Sequence, residues 1–88
     1  MNMNNIEDET MDFARAALAT LLKSDVEEIT QNSSPRNTNG WDSLAQVNLI
    51  LAIEKEYEIN FAIGQILEFE SLSDIVKTTV AAIGDRGR

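Results

Sequence analysis

The chain contains no cysteine and no histidine. Without cysteine there is no disulfide, no thiolate metal site and no thiol of its own. Without histidine the usual general base at neutral pH and the commonest zinc ligand are both missing. Glycine, with four residues, is too sparse for a phosphate-cradling loop, and the acidic clusters lack the spacing of a calcium loop. No apolar run approaches the roughly 20 residues that span a bilayer, so stable membrane insertion is not expected. The opening Met1-Asn2-Met3-Asn4-Asn5 has neither the basic region nor the apolar stretch of a secretory signal, and the expected location is cytoplasmic. Basic residues are scarce as well: 7 against 15 acidic ones, a net charge of -8. Such a surface repels nucleic-acid phosphates and anionic membranes. It either favours encounters with basic protein surfaces or only keeps the domain soluble.

What is present is a chain of 88 residues that is 43% hydrophobic, enough for one core and too short for two. The expectation is a single domain over 1–88, with an ordered core over about 5–83 and a flexible tail from 84 to 88. Apolar residues recur at helical spacing from Phe13 through Ala14, Ala17, Leu18 and Leu21 to Leu22. A first helix is expected over about 6–23, capped by Asn5, with Glu7, Asp8 and Glu9 in its first turn and Lys23 near its end. Val26 and Ile29 are spaced to tuck one turn of chain against the core.

The longest polar stretch follows, from Thr30 to Gly40, rich in the turn formers Asn, Ser, Pro and Gly. A loop of this length in a compact domain is usually functional or mobile. A second helix starts at Ser43 or its neighbour, capped by Asp42 or Ser43, with Gln46 at capping-box spacing from Ser43, and runs to Tyr57. Leu44, Val47 and Leu51, then Ile50, Ile53 and Tyr57, are expected to form its buried face. The run Leu49-Ile50-Leu51-Ala52-Ile53 is apolar almost all round, which marks a central helix or one that also presents apolar surface to something else. Ile59-Asn60-Phe61 reads as a connector, and Ile63, Ile66, Leu67 and Phe69 as a short helix weakened by Gly64. Ser71-Leu72-Ser73-Asp74 has capping-box spacing and opens a last helix to about residue 83. No alternating strand pattern persists. The fold class is all-α: a four-helix bundle of three longer helices and one short one.

The segment Gly40-Trp41-Asp42-Ser43-Leu44 places a serine hydroxyl where the polar loop meets the second helix. Capping preferences alone make Asp42 and Ser43 plain N-caps. A nucleophilic serine needs a base to take its proton, and of the side chains left only Lys23, Lys55 and Lys77 are candidates, none in a recognisable motif. The domain is therefore not expected to be an enzyme. A hydroxyl near the positive end of a helix instead suits an acceptor of a phosphate-bearing group, activated by a separate enzyme.

Asp42-Ser43-Leu44, followed by Val47, Leu49, Ile53-Glu54-Lys55-Glu56-Tyr57 and Ile59, resembles the acyl carrier protein family, with its Asp-Ser-Leu signature and a helix ending in a Leu-Glu-x-x-Phe-like stretch. The likeness extends over nearly the whole chain, through Leu22, Glu27-Glu28-Ile29-Thr30 and Asn32 before the motif and Phe61, Phe69, Ser71, Leu72 and Val76 after it. It implies an acyl-carrier-like four-helix bundle. It implies that Ser43 receives 4′-phosphopantetheine from coenzyme A through a magnesium-dependent phosphopantetheinyl transferase, with Asp42 as recognition residue and helix start. It also implies that the arm carries acyl thioesters between the loading and processing enzymes of fatty acid, polyketide or related lipid biosynthesis. Trp41, Leu44, Val47, Glu54 and Ile63 become candidate partner contacts, although Trp41 also reads as the residue that pins the loop to the core.

The chain departs from the family at several positions. Ala45 and Asn48 stand where fatty-acid-type members usually have acids, and Pro35 and Asn39 where Phe and Leu are frequent. Trp41 replaces a small residue, as in carriers of specialised pathways and D-alanine carriers. The glutamates 54, 56, 58, 68 and 70 read equally as a solvated face and as a recognition surface. An aminoacyl or peptidyl carrier and an unmodified helical interaction module remain alternatives. A stand-alone monomer is expected, since little beyond the second helix suggests an exposed apolar patch.

Overall fold

The computed structural model describes residues 3–86. Four α-helices follow one another: α1 (Met3–Leu22), α2 (Ser43–Tyr57), α3 (Ile63–Glu68) and α4 (Leu72–Arg86). A single 3₁₀ turn, Val26–Glu28, lies between α1 and the long loop. No strand occurs among the described residues. The expected bundle of three longer helices and one short one is the observed architecture.

α1 packs against both α2 and α4. Ala14 and Leu18 of α1, Leu49 and Ile53 of α2, and Leu72 of α4 are fully buried and belong to one apolar cluster. Burying a side chain of this kind contributes about 1.5–3 kcal/mol, and in a chain with no covalent staple this cluster is the main source of stability. Two threonines share that interior. Their hydroxyls are satisfied within their own helices, Thr10 donating to the Ile6 carbonyl and Thr79 to that of Ile75, both at 2.7 Å.

The helix ends depart from expectation. α1 starts at Met3, so Asn5 lies inside the helix and is not its cap, and Glu7, Asp8 and Glu9 fall after the first turn. Its C-terminus closes at Lys23, which takes a left-handed φ of 58°. There Ser24 N–H reaches the Ala19 carbonyl (3.0 Å) and Lys23 N–H that of Thr20 (3.3 Å), the paired bonds of a Schellman motif on a residue other than glycine. α4 continues through Gly84 to Arg86, past the expected end at 83. Residues 87 and 88 of the expected tail lie outside the described residues.

The second capping box is also differently built. The Asp74 carboxylate accepts from the Glu70 amide (2.9 Å), one residue earlier than the spacing implies. The first amides of α4 are taken up from across the fold: Leu72 N–H donates to the Ser33 carbonyl (2.9 Å) and Ser73 N–H to that of Gln31 (3.0 Å). These two bonds satisfy orphan donors at a helix start and fasten the long loop to α4.

That loop is organised by its own short polar side chains. The Ser33 hydroxyl accepts from Thr30 N–H and the Asn37 carboxamide oxygen from Ser34 N–H, both at 2.9 Å, while Asn37 Nδ2 donates to the Asn32 carbonyl (3.2 Å). Upstream, Arg15 of α1 supplies a tie that composition did not reveal. Its Nε donates to the Ile29 carbonyl (2.6 Å) and its Nη2 to that of Val26 (2.9 Å), which holds the 3₁₀ turn on α1. Arg15→Ala is expected to lower stability by about 2 kcal/mol, because both carbonyls lose a charged donor. The measurement is the urea midpoint at unchanged m-value.

Tyr57 closes α2 with its ring edge-on to Phe13, centroids 5.7 Å apart. Its phenol is pushed above the ordinary value of 10.0, chiefly by burial, with the charges of Glu56 and Glu9 adding to the rise and a hydrogen bond with Thr10 opposing it. The fold thus favours the neutral phenol. That contribution is complete below the unfolded value near pH 10 and is lost as pH rises through the higher folded value. Stability measured by urea unfolding should therefore fall from about pH 10 upward, and Tyr57→Phe should lack that component.

Candidate functional site

The site is assembled where the long loop turns into α2. Gly40 adopts a φ of +85°, in the left-handed region that side chains disfavour, and a Cβ there would also sit 3.5 Å from Leu22 Cδ2. The turn sends Trp41 inward. Only 4% of its surface is exposed, and its indole N–H donates to the Gln46 side-chain oxygen at 2.7 Å. Trp41 is thus a core residue and not a partner contact, because its ring leaves no surface for a second protein. The pinning role is the one the structure assigns. Gln46 is correspondingly engaged with Trp41 and does not reach back to Ser43.

Asp42 is the N-cap of α2. Its backbone is extended (φ -103°), its carboxylate accepts from Ala45 N–H at 2.9 Å, and its carbonyl takes the first helical bond from Gln46 N–H. This is why aspartate stands directly before the serine: its short acceptor satisfies an otherwise orphaned amide at the positive helix end. Ser43 is therefore the first helical residue and is not a cap. Its hydroxyl is exposed, and neither it nor the Ser43 and Leu44 amides find a hydrogen-bond partner among the described residues. The hydroxyl is held at a fixed place, faces solvent and has no task in the fold.

The face that α2 buries matches expectation at Ile50 and Ile53 but not at Leu44, Val47 and Leu51. Ala45, Leu49, Ile50 and Ile53 point inward. Leu44, Val47 and Leu51 are 69%, 53% and 55% exposed. Both faces of this helix are apolar, so periodicity had no contrast to work with, and packing against α1 chose the inward set. Leu44, Val47 and Leu51, all three of which periodicity placed inside, are thus surface residues. On α3, Ile63 and Leu67 are more exposed still, at 73% and 80%, while Ile66 packs against the core.

Glu54 is half-buried, and its carboxylate accepts from the Phe61 amide at 2.8 Å. After the left-handed Glu58 (φ 55°) the chain doubles back and brings that amide to the last turn of α2. Glu54 consequently braces the connector through one of its carboxylate oxygens. Among the described residues no group of three or more carboxylates is disposed to hold a metal ion, and no helix is long and apolar enough to cross a membrane.

Comparison with known proteins agrees with this geometry. The family model for the phosphopantetheine attachment site matches residues 12–79. An acyl carrier protein of Onion yellows phytoplasma (strain OY-M) is 32% identical over 62 residues, covering 70% of this chain and 82% of that protein. Acyl carrier protein 3 of Ralstonia nicotianae (strain ATCC BAA-1114 / GMI1000) is 31% identical over 77 residues, 88% of each. The solution NMR structure of a holo acyl carrier protein from Geobacter metallireducens superposes with a TM-score of 0.77 at 25% identity, again over 88% of both chains. Members of this family are carriers and not enzymes, and their prosthetic group is phosphopantetheine. By fold, by matched sequence and by the helix-start geometry around an exposed serine, this chain belongs to the acyl carrier protein family.

Proposed function

We propose that Ser43 is the residue that carries 4′-phosphopantetheine, and that the domain presents acyl groups on that arm to the enzymes of fatty acid, polyketide or related lipid biosynthesis. The observation that supports this most directly is the Ser43 hydroxyl itself, exposed and unbonded at the first helical position behind the Asp42 cap. The residues fit the group. The free Ser43 and Leu44 amides and the helix dipole face the place where a phosphodiester on Ser43 carries its negative charge. Asp42 fixes the helix start, and with it the direction in which the hydroxyl is offered to a transferase.

When attached, the group supplies a thiol that the cysteine-free chain lacks, and with it a thioester linkage for the cargo. The chain's own part is to hold the serine in a rigid frame and to leave the surroundings of the arm open to several enzymes in turn. A net charge of -8 disfavours self-association, and the domain is taken to act as a monomer in the cytoplasm. Incubation with coenzyme A, magnesium and a broad-specificity phosphopantetheinyl transferase should add one phosphopantetheinyl mass, located at Ser43 by peptide mapping. No gain with a transferase that is active on a control carrier would overturn this reading. Intact-mass analysis of the protein from its native host would then identify the cargo.

A further inference from the structure

We infer that the Asn39–Gly40 peptide is a site of spontaneous chemical modification, at which the folded domain converts Asn39 through a cyclic imide into isoaspartate and aspartate. The inference does not depend on what Ser43 carries. Asn39 is the one asparagine of the chain that is followed by glycine. The two residues form the centre of a turn from Thr38 to Trp41, closed by a single bond from the Trp41 N–H to the Thr38 carbonyl at 3.2 Å. Gly40 takes the third place of that turn with its φ of +85°. Both residues are exposed. Neither the Asn39 carboxamide nor the Gly40 N–H has a hydrogen-bond partner among the described residues. The electrophile and the nucleophile of a ring closure thus stand next to each other, unengaged. A surface hollow of about 520 Å³ lined by residues 35–42 gives water access to them. Asparagines elsewhere are held back. The Asn37 carboxamide oxygen accepts from the Ser34 N–H (2.9 Å) and the Thr38 hydroxyl (2.8 Å), and its nitrogen donates to the Asn32 carbonyl (3.2 Å). The amide after Asn32 is committed to the Thr30 carbonyl at 3.0 Å, and the amide after Asn60 to the Glu54 carboxylate at 2.8 Å. Asn48 lies inside α2.

The chemistry needs only water and a trace of hydroxide. The Gly40 nitrogen loses its proton and attacks Asn39 Cγ. The N–Cγ bond forms, the Cγ–Nδ2 bond breaks, and the carboxamide nitrogen leaves as ammonia. Glycine suits this step because no Cβ hinders the approach of its nitrogen and its backbone rotates at little cost. Water then opens the five-membered ring at either carbonyl. Opening at Cγ gives aspartate, and opening at the backbone carbonyl gives isoaspartate, whose chain runs through the former side chain. The sum is asparagine plus water to acid plus ammonia, with no change of oxidation state. The isoaspartyl product places one extra carbon inside the ring that the Trp41 N–H closes on Thr38. It therefore displaces the turn that sends Trp41 into the core and adds a negative charge to a chain already at -8. A carboxyl methyltransferase specific for isoaspartate is the class of enzyme that recognises such a product.

The test holds the folded wild-type protein in mildly alkaline buffer and follows intact mass and peptide maps over days. The mass should rise by the difference between an amide and an acid, and faster as pH rises. The change should map to the peptide that contains Asn39 and Gly40, with isoaspartate in excess of aspartate. An isoaspartyl methyltransferase with S-adenosylmethionine should place its methyl label on that peptide alone. Asn39→Gln replaces an exposed side chain without a hydrogen bond, so its thermal midpoint should match the parent. It should lose the mass gain, because glutamine must close a larger and slower ring. The isoaspartyl form, separated by chromatography, should unfold at a lower urea midpoint than unmodified protein. No mass gain in the folded protein would overturn the inference, even where the urea-unfolded chain gains it, because the turn would then protect the bond. A gain at Asn32, Asn37, Asn48 or Asn60 equal to that at Asn39 would overturn it as well, as would an undiminished gain in Asn39→Gln.

Discussion

Ser43→Ala should fold as the parent protein does and accept no prosthetic group. Both halves of that expectation follow from the same geometry. The Ser43 side chain is exposed and makes no hydrogen bond in the described structure, so its removal leaves no buried donor or acceptor unpaired. Alanine is the better helix former, and the substitution is expected to be neutral or to stabilise by a few tenths of a kcal/mol. Under the proposed attachment, loading depends on the one oxygen that is removed, and the expected mass gain is zero.

Asp42→Ala makes the contrast sharper. It leaves the serine in place but frees the Ala45 amide, which costs about 1 kcal/mol of cap energy and loosens the frame in which the hydroxyl is offered. Its unfolding midpoint should drop while some loading persists. Mass spectrometry and thermal unfolding on the two variants thus separate the acceptor from the residue that orients it. Loss of stability in Ser43→Ala would contradict the structure, and mass gain in it would refute the proposed attachment at Ser43.

Trp41→Ala should have the largest effect on stability, about 3–5 kcal/mol. A domain of this size is held by only about 5–15 kcal/mol in total, so the variant is expected to be partly unfolded at moderate temperature. The magnitude comes from two losses. The ring is 96% buried, with 4% of its surface exposed, and truncation leaves a large void between the loop and α2. The indole N–H also ties the residue before the cap to Gln46 in the first turn of the helix, so the loop and the helix start come apart together. Trp41→Phe isolates the second term. It keeps most of the apolar volume, loses the hydrogen bond and should cost about 1–2 kcal/mol. Urea unfolding followed by circular dichroism measures both, since the only tryptophan is itself removed.

Much of this domain is legible from local pattern. α1 has apolar residues on one side and polar ones on the other, and Ala14 and Leu18 of its expected stripe are buried, whereas Leu21 is 37% exposed. The loop from Thr30 to Gly40 announces itself by its turn formers, and Ser43 by the motif and spacing around it. Helix ends were less legible, because their partners are remote or backbone. The α4 amides bond to the carbonyls of Gln31 and Ser33, and Lys23 closes α1 in a conformation that its side chain gives no sign of. Arg15 escaped notice because a lone arginine on a helix looks like a solvated charge until Ile29 and Val26 turn their carbonyls toward it.

The sequence by itself determined the class of fold, the absence of histidine and the place of the serine proposed as the acceptor. Each of these follows from which residues are present and how they are spaced. Only the tertiary structure decided which side of α2 faces inward. Leu44, Val47 and Leu51 compete on equal hydrophobic terms with Ala45, Leu49, Ile50 and Ile53. A helix apolar on both sides is oriented by the shape of what it packs against, and the same packing drew Trp41 inside, committed Glu54 to Phe61 and left an uncharged apolar stripe beside Ser43.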